Sequence, residues 1–134
     1  MYINMLDRTS ILIQPNKFSY FDDVYKLQKI HQNNLISGVS KNQFIWIGEH
    51  QLCYTIGRGG NPLNLLKLKK EDNLNVFKLD RGGEVTCHMP GQIVVYLILN
   101  LNFYKRDLNL YLRKIQNLII NILDECQIKA SRKS

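Results

Sequence analysis

Two spacings of apolar residues alternate along this chain, and the changes between them mark its elements. The run SILIQ (10–14) is cut by Pro15 and predicts a short strand. Over 19–37 the spacing turns helical, and Phe21, Val24, Leu27, Ile30 and His31 are expected to form a buried face. Ser19 is the expected N-cap, Asp22 and Asp23 fall where the helix dipole favours acids, and Gly38 supplies a stop. The nearly unbroken QFIWIGE (43–49) predicts a strand buried on both faces. LCYTIG (52–57) reads as a second extended piece and RGGNP (58–62) as a loop, while the Lys-rich 63–73 fits neither period. LNVFKLDR (74–81) alternates Leu74, Val76 and Leu79 with polar residues as an antiparallel strand does, and QIVVYLILNL (92–101) is the strongest strand.

The last element, 107–127, is the clearest. Leu108, Leu112, Ile115, Ile119, Ile122 and Cys126 make one apolar stripe, widened by Leu118 and Leu123. Asp107 is the expected N-cap, and Lys129, Arg132 and Lys133 follow the helix end, where the dipole favours cations. The order strand, helix, strands, helix predicts an α/β chain of the α+β kind, with helices packed on one face of a mixed sheet.

Composition narrows the class. At 134 residues with 45% hydrophobic positions, the chain has the length of one domain with a real core. Its formal net charge of +7 suits an acidic partner, or serves solubility alone. Nucleic acid is disfavoured as that partner, because the basic residues are scattered and Phe77, Tyr96 and Tyr104 fall mainly in core-like runs. Three widely spaced cysteines, Cys53, Cys87 and Cys126, fit free thiols in a reducing compartment and no metal-ligand pattern. The N-terminus does not read as a signal peptide, and no apolar run approaches the ~18 residues of a membrane span. No membrane partner is expected.

The candidate chemistry lies in FKLDRGGEVTCHMPGQ (77–92). Gly82 and Gly83 allow positive φ and close approach of a ligand to the main chain. Arg81 offers a guanidinium fork, Thr86 a hydroxyl, and His88 a donor and an acceptor near neutral pH. Pro90 and Gly91 force a second bend. A polar, glycine-lined loop between two buried strands is expected to hold a ligand. Neither a P-loop nor a dinucleotide fingerprint fits this spacing.

The segment RGGEVTCHMPGQIVVYLILNL (81–101) resembles the signature of the lipoyl(octanoyl) transferases, Arg-Gly-Gly-x-Val-Thr-x-His-x-Pro-Gly-Gln followed by an apolar strand. Arg81, Gly82, Gly83, Val85, Thr86, His88, Pro90, Gly91 and Gln92 all match it. A second block, GEHQLCYTIGR (48–58), resembles the family's Glu-His-x-x-x-Tyr-Thr-Leu-Gly-Arg, with Ile56 for the usual Leu. The resemblance implies the fold shared with biotin and lipoate protein ligases. It implies transfer of an octanoyl group from acyl carrier protein to a lysine of a lipoyl domain, in 2-oxoacid dehydrogenases or the glycine cleavage H protein. The intermediate would be a cysteine thioester, with a lysine lowering that thiol's pKa and no cofactor.

By the same resemblance Arg81, Gly82, Gly83, Glu84, Val85, Thr86, Cys87 and His88 line the acyl pocket, and Arg81→Ala is expected to weaken binding more than folding. The family's Lys- and Cys-bearing segments have no counterpart in this sequence. The chain is therefore expected to be a single but incomplete catalytic domain over 1–134, its C-terminal part missing and no catalytic residue present. The alternative is an inactive truncated remnant that binds acyl carrier protein or lipoyl domains without turnover. Loss of partner strands is expected to uncover a face or an edge of the strands at 43–49 and 92–101. Richness in Asn, Lys and Ile suits a plastid stroma or a bacterial cytoplasm.

Overall fold

A computed structural model of the chain describes residues 2–4, 10–61, 63–65 and 75–133, with side chains from residue 18 onward. The Lys-rich stretch and Leu74 therefore lie mostly outside the described residues. Two compact units are present, Met1–Leu99 and Asn100–Ser134.

The first unit contains two sheets rather than the single one expected. Strands β1 (Tyr2–Asn4), β2 (Ser10–Ser19), β3 (Gln43–His50) and β7 (Val94–Ile98) form one, in the order β1-β2-β3-β7. Strands β4 (Cys53–Ile56), β5 (Val76–Lys78) and β6 (Val85–His88) form the other, in the order β5-β4-β6. Both are mixed: β2 runs parallel to β3 and β5 to β4, while β7 and β6 run antiparallel to their partners. The mixed α/β class expected from the pattern holds. The division between sheets falls at Gln51–Leu52, the two residues that carry the chain from β3 to β4.

Strand β2 continues past Pro15, which faces Ile47 in the parallel ladder. Strand β1 pairs with β2 only through Ser10, Ile11 and Leu12. At Pro15 the described part of β2 is thus an edge, the kind of strand that tolerates proline.

Helix α1 (Phe21–Ile36) starts one residue later than expected: Tyr20 is the N-cap, with extended backbone and no side-chain bond to the helix, and Ser19 is the last residue of β2. Its end follows the expected route. Ser37 Oγ donates to Asn33 O at 2.8 Å, and Gly38 takes φ +74°, a value that favours glycine. Phe21 and Val24 are buried, and Leu27 packs against the core of Val24, Phe44 and Trp46. His31 stacks on Phe44, with ring centroids 3.9 Å apart. Ile30, expected in that face, is 55% exposed, because it falls past the edge of the Val24–Leu27–His31 stripe.

Strand β3 is buried mainly on one face: Phe44, Trp46, Gly48 and His50 are covered, and Gln43 is buried at the start of the other, while Ile45, Ile47 and Glu49 are half-buried. Opposite Ile47, Val95 of β7 is exposed.

In the second unit, a 3-10 turn (Leu101–Tyr104) leads to helix α2 (Leu108–Glu125). Asp107 caps it as expected, Oδ1 accepting from Leu110 N at 2.9 Å. Its apolar stripe is not buried: Leu108, Leu112, Leu118, Ile119 and Ile122 are all exposed, and so is Cys126, which was expected to be covered. No helix among the described residues is long and apolar enough to cross a membrane.

Candidate functional site

The stretch expected to be one loop contains a strand, and that strand sorts its residues. In the antiparallel pair β4–β6, Cys53 faces His88, Tyr54 faces Cys87, Thr55 faces Thr86 and Ile56 faces Val85. Opposed residues share a face, and neighbours along a strand alternate. Cys53, Thr55, Thr86 and His88 therefore lie on one side, and Tyr54, Ile56, Val85 and Cys87 on the other.

A cavity of about 270 Å³ lies on the first side, close to the lower end of the ~300–1,000 Å³ common for ligand sites. Thr55, Arg81, Thr86 and His88 supply a polar wall. Helix α1 supplies Phe21, Tyr25, Gln28 and Gln32, spaced four, three and four residues apart and so on one stripe. Strand β7 contributes Tyr96 and Ile98, and Leu79, Asp80 and Lys29 complete the lining. Of the eight residues expected from the motif, the structure brings Arg81, Thr86 and His88 to this cavity. Gly82, Gly83, Glu84, Val85 and Cys87 do not line it. Glu84 turns to the loop after β4, where Oε2 accepts from Asn61 N at 3.3 Å and Asn64 Nδ2 at 3.4 Å.

Arg81 is tied inward. Its Nη2 donates to Thr55 Oγ1 at 2.7 Å, Thr86 Oγ1 at 2.9 Å, and the carbonyls of Thr55 and Glu84 at 3.3 Å; Nη1 donates to Gly82 O at 2.9 Å. The guanidinium thus braces the turn against β4 and β6. It leaves the Thr55 hydroxyl hydrogen free to point at His88 Nε2, 3.4 Å away. Burial lowers the His88 pKa, helped by His50 and Arg81 and opposed by the Gln92 side chain, so the ring is held neutral.

Behind it, His50 is fully buried, with Nδ1 3.2 Å from Ser19 O and Nε2 3.0 Å from the Tyr96 hydroxyl. A carbonyl only accepts, so Nδ1 carries the proton and Tyr96 donates to Nε2. Burial lowers the His50 pKa and raises that of Tyr96.

The two sequence blocks interlock at both ends. Arg58 N donates to Arg81 O at 2.9 Å, and Arg58 Nε to Asp80 O at 2.5 Å. At the other end Gly91 N donates to Glu49 Oε2 at 2.6 Å, which pins the Pro90–Gly91 bend. On the rim, Asp80 accepts from Lys29 at 2.6 Å and from the Tyr25 hydroxyl at 3.0 Å.

No cysteine lines the cavity among the described residues. Cys53 shares its face but is buried, and burial pushes its thiol up to about 11, far from a thiolate at neutral pH. No group of residues suited to hold a metal ion occurs among the described ones.

The model of the lipoyl protein ligase A/B catalytic domain matches residues 23–134. The chain belongs to this family. Among its curated relatives, the octanoyltransferase of Prochlorococcus marinus strain MIT 9515 is 61% identical over 130 residues, covering 96% of this chain and 59% of that protein. The octanoyltransferase of Prochlorococcus marinus subsp. pastoris (strain CCMP1986 / NIES-2087 / MED4) is 60% identical over 129 residues with the same two shares. That of strain NATL2A is 42% identical over 124 residues, 92% of this chain and 52% of that protein. The chain thus spans little more than half the length of these relatives. Of the signature residues, Arg81, Thr86 and His88 were legible at this cavity, but Thr55, Tyr96 and the α1 stripe were missed as lining residues. The stripe had a signal, two glutamines spaced with two aromatics at helical steps. Thr55 lay within the second matching block, GEHQLCYTIGR, and Tyr96 had no signal apart from its place in a strand.

Proposed function

We propose that this chain holds the acyl group of an octanoyl thioester, as the acyl-binding part of an octanoyltransferase of protein lipoylation. One observation carries the reading. Arg81, Thr86 and His88 of the motif meet on a single cavity whose other walls include Phe21, Leu79, Tyr96 and Ile98, in a chain 61% identical to a protein named octanoyltransferase. The apolar walls suit a fatty tail, each buried methylene contributing about 0.8 kcal/mol. The neutral His88 suits an uncharged carbonyl oxygen better than a second cation would.

The donor is octanoyl-acyl carrier protein, and the acceptor a lysine of a lipoyl domain. Both are expected to be acidic carriers, which the +7 chain would meet faster at low salt. The acyl group would leave the carrier's sulphur for a cysteine thiolate, then pass to the lysine amine to give an amide. The cavity offers no thiol for the first step, and the relatives are longer than this chain. The described cavity residues therefore act on the acyl group by binding it, and the thiol and amine of the transfer are not among the cavity residues described. Free cysteines suit a reducing compartment, a bacterial cytoplasm or plastid stroma.

The test is incubation with octanoyl-acyl carrier protein, read by binding and by intact mass. Saturable binding with no mass gain is expected. An octanoyl adduct on Cys53, Cys87 or Cys126 would overturn the assignment as a binder, and absence of binding would overturn the acyl reading.

A further inference from the structure

Gln28 Nε2 is a buried side-chain nitrogen with no hydrogen-bond partner, and Gln28 lines the cavity. A buried amide with an unmade bond destabilises the empty protein, where leucine or methionine of similar bulk would not. Its presence on a stripe with Phe21 and Tyr25 needs another reason.

Several other donors around the cavity are engaged. Both hydrogens of Arg81 Nη2 have protein acceptors, and Lys29 and Tyr25 bind the Asp80 carboxylate. Gln32, one turn on, accepts from Lys29 at 3.4 Å. Gln28 is left with an open donor on a broad terminal torsion, so its amide turns to an arriving oxygen at little cost. A saturated acyl thioester carries one strong acceptor in its acyl part, the carbonyl oxygen.

The geometry points to Gln28 as a ligand-positioning residue, whose side-chain amide donates a hydrogen bond to the carbonyl oxygen of an acyl thioester held in this cavity. The inference rests on the acyl-binding reading above. Arg81 acts through the turn that it braces.

The test compares two probes on the full chain, octanoyl-pantetheine and S-octyl-pantetheine, which differ only in the carbonyl. The wild type is expected to prefer the thioester roughly tenfold. Gln28→Leu and Gln28→Met are expected to reduce that preference to within about twofold, with thioether affinity unchanged and melting temperature equal to or above wild type. Equal losses on both probes with a lowered melting temperature would make Gln28 merely structural. A kept preference in folded variants would overturn its role while leaving the acyl reading intact. If the wild type binds neither probe, both fall.

Discussion

Substituting Gly57, a residue outside the cavity, tests how the site turn is held. A Cβ built on Gly57 would collide with the carbonyl oxygen of Gly83, and would lie 2.8 Å from Gly82 O and 3.0 Å from Arg81 O. All three are backbone atoms of one turn, so no side chain can swing aside. The turn would have to recoil from β4, which strains the bond from Arg58 N to Arg81 O at 2.9 Å and the one from Gly57 N to Glu84 O at 3.4 Å. Overpacking costs about 1–3 kcal/mol and a lost backbone bond about 0.5–1.5 kcal/mol. Gly57→Ala should therefore destabilise by about 2–4 kcal/mol, a fall of roughly 6–16 °C in melting temperature for a chain of this size. Gly82→Ala is the control in the same turn. Its Cβ would meet nothing within 4 Å, and its φ is not in the left-handed region. It should melt within about 0.5 kcal/mol of wild type. Gly83→Ala falls between them, since φ +94° strains any side chain. Thermal and urea melts of the three variants decide the matter. If Gly82→Ala costs as much as Gly57→Ala, or Gly57→Ala melts like wild type, the interlock of the two blocks is wrong.

Arg81→Ala should now cost stability first, contrary to the expectation from sequence: losing its bonds to Thr55 and Thr86 should destabilise by roughly 2–4 kcal/mol. Arg81→Lys should recover little, because a single ammonium cannot span both hydroxyls; wild-type urea melts for either variant would contradict this. Burial lowers the pKa of His31, His50 and His88. Each then binds fewer protons folded than unfolded, so stability is full at pH 7–8 and falls as pH drops below about 6.5. A melting temperature that stays level between pH 7 and pH 5 would refute that sign. In the second unit, Asp107→Ala removes the acceptor for Leu110 N and should lower helicity and stability by about 1 kcal/mol, read by circular dichroism.

The motif residues were legible because they are contiguous. Arg81, Thr86 and His88 lie within eight positions, and the strand alternation that puts Thr86 and His88 on one face is a local property. Helices α1 and α2 were legible for the same reason, with Asp107 and Gly38 marking ends that depend on neighbouring backbone alone. The expectation for Ser19 failed because the ladder with β3 continued through it and took that residue into a strand.

What sequence determined, then, was the period of each segment and the presence of the family's signature, since both are written in neighbouring residues. Tertiary structure alone decided that Gln51–Leu52 divides the strands between two sheets, that Gly57 is the glycine the turn cannot do without, and that Arg81 is spent on Thr55 and Thr86. It also brought Gln28, Thr55 and Tyr96 to one cavity across dozens of residues. Those are distances between segments remote in sequence, set by which faces bury together, and no local pattern records them.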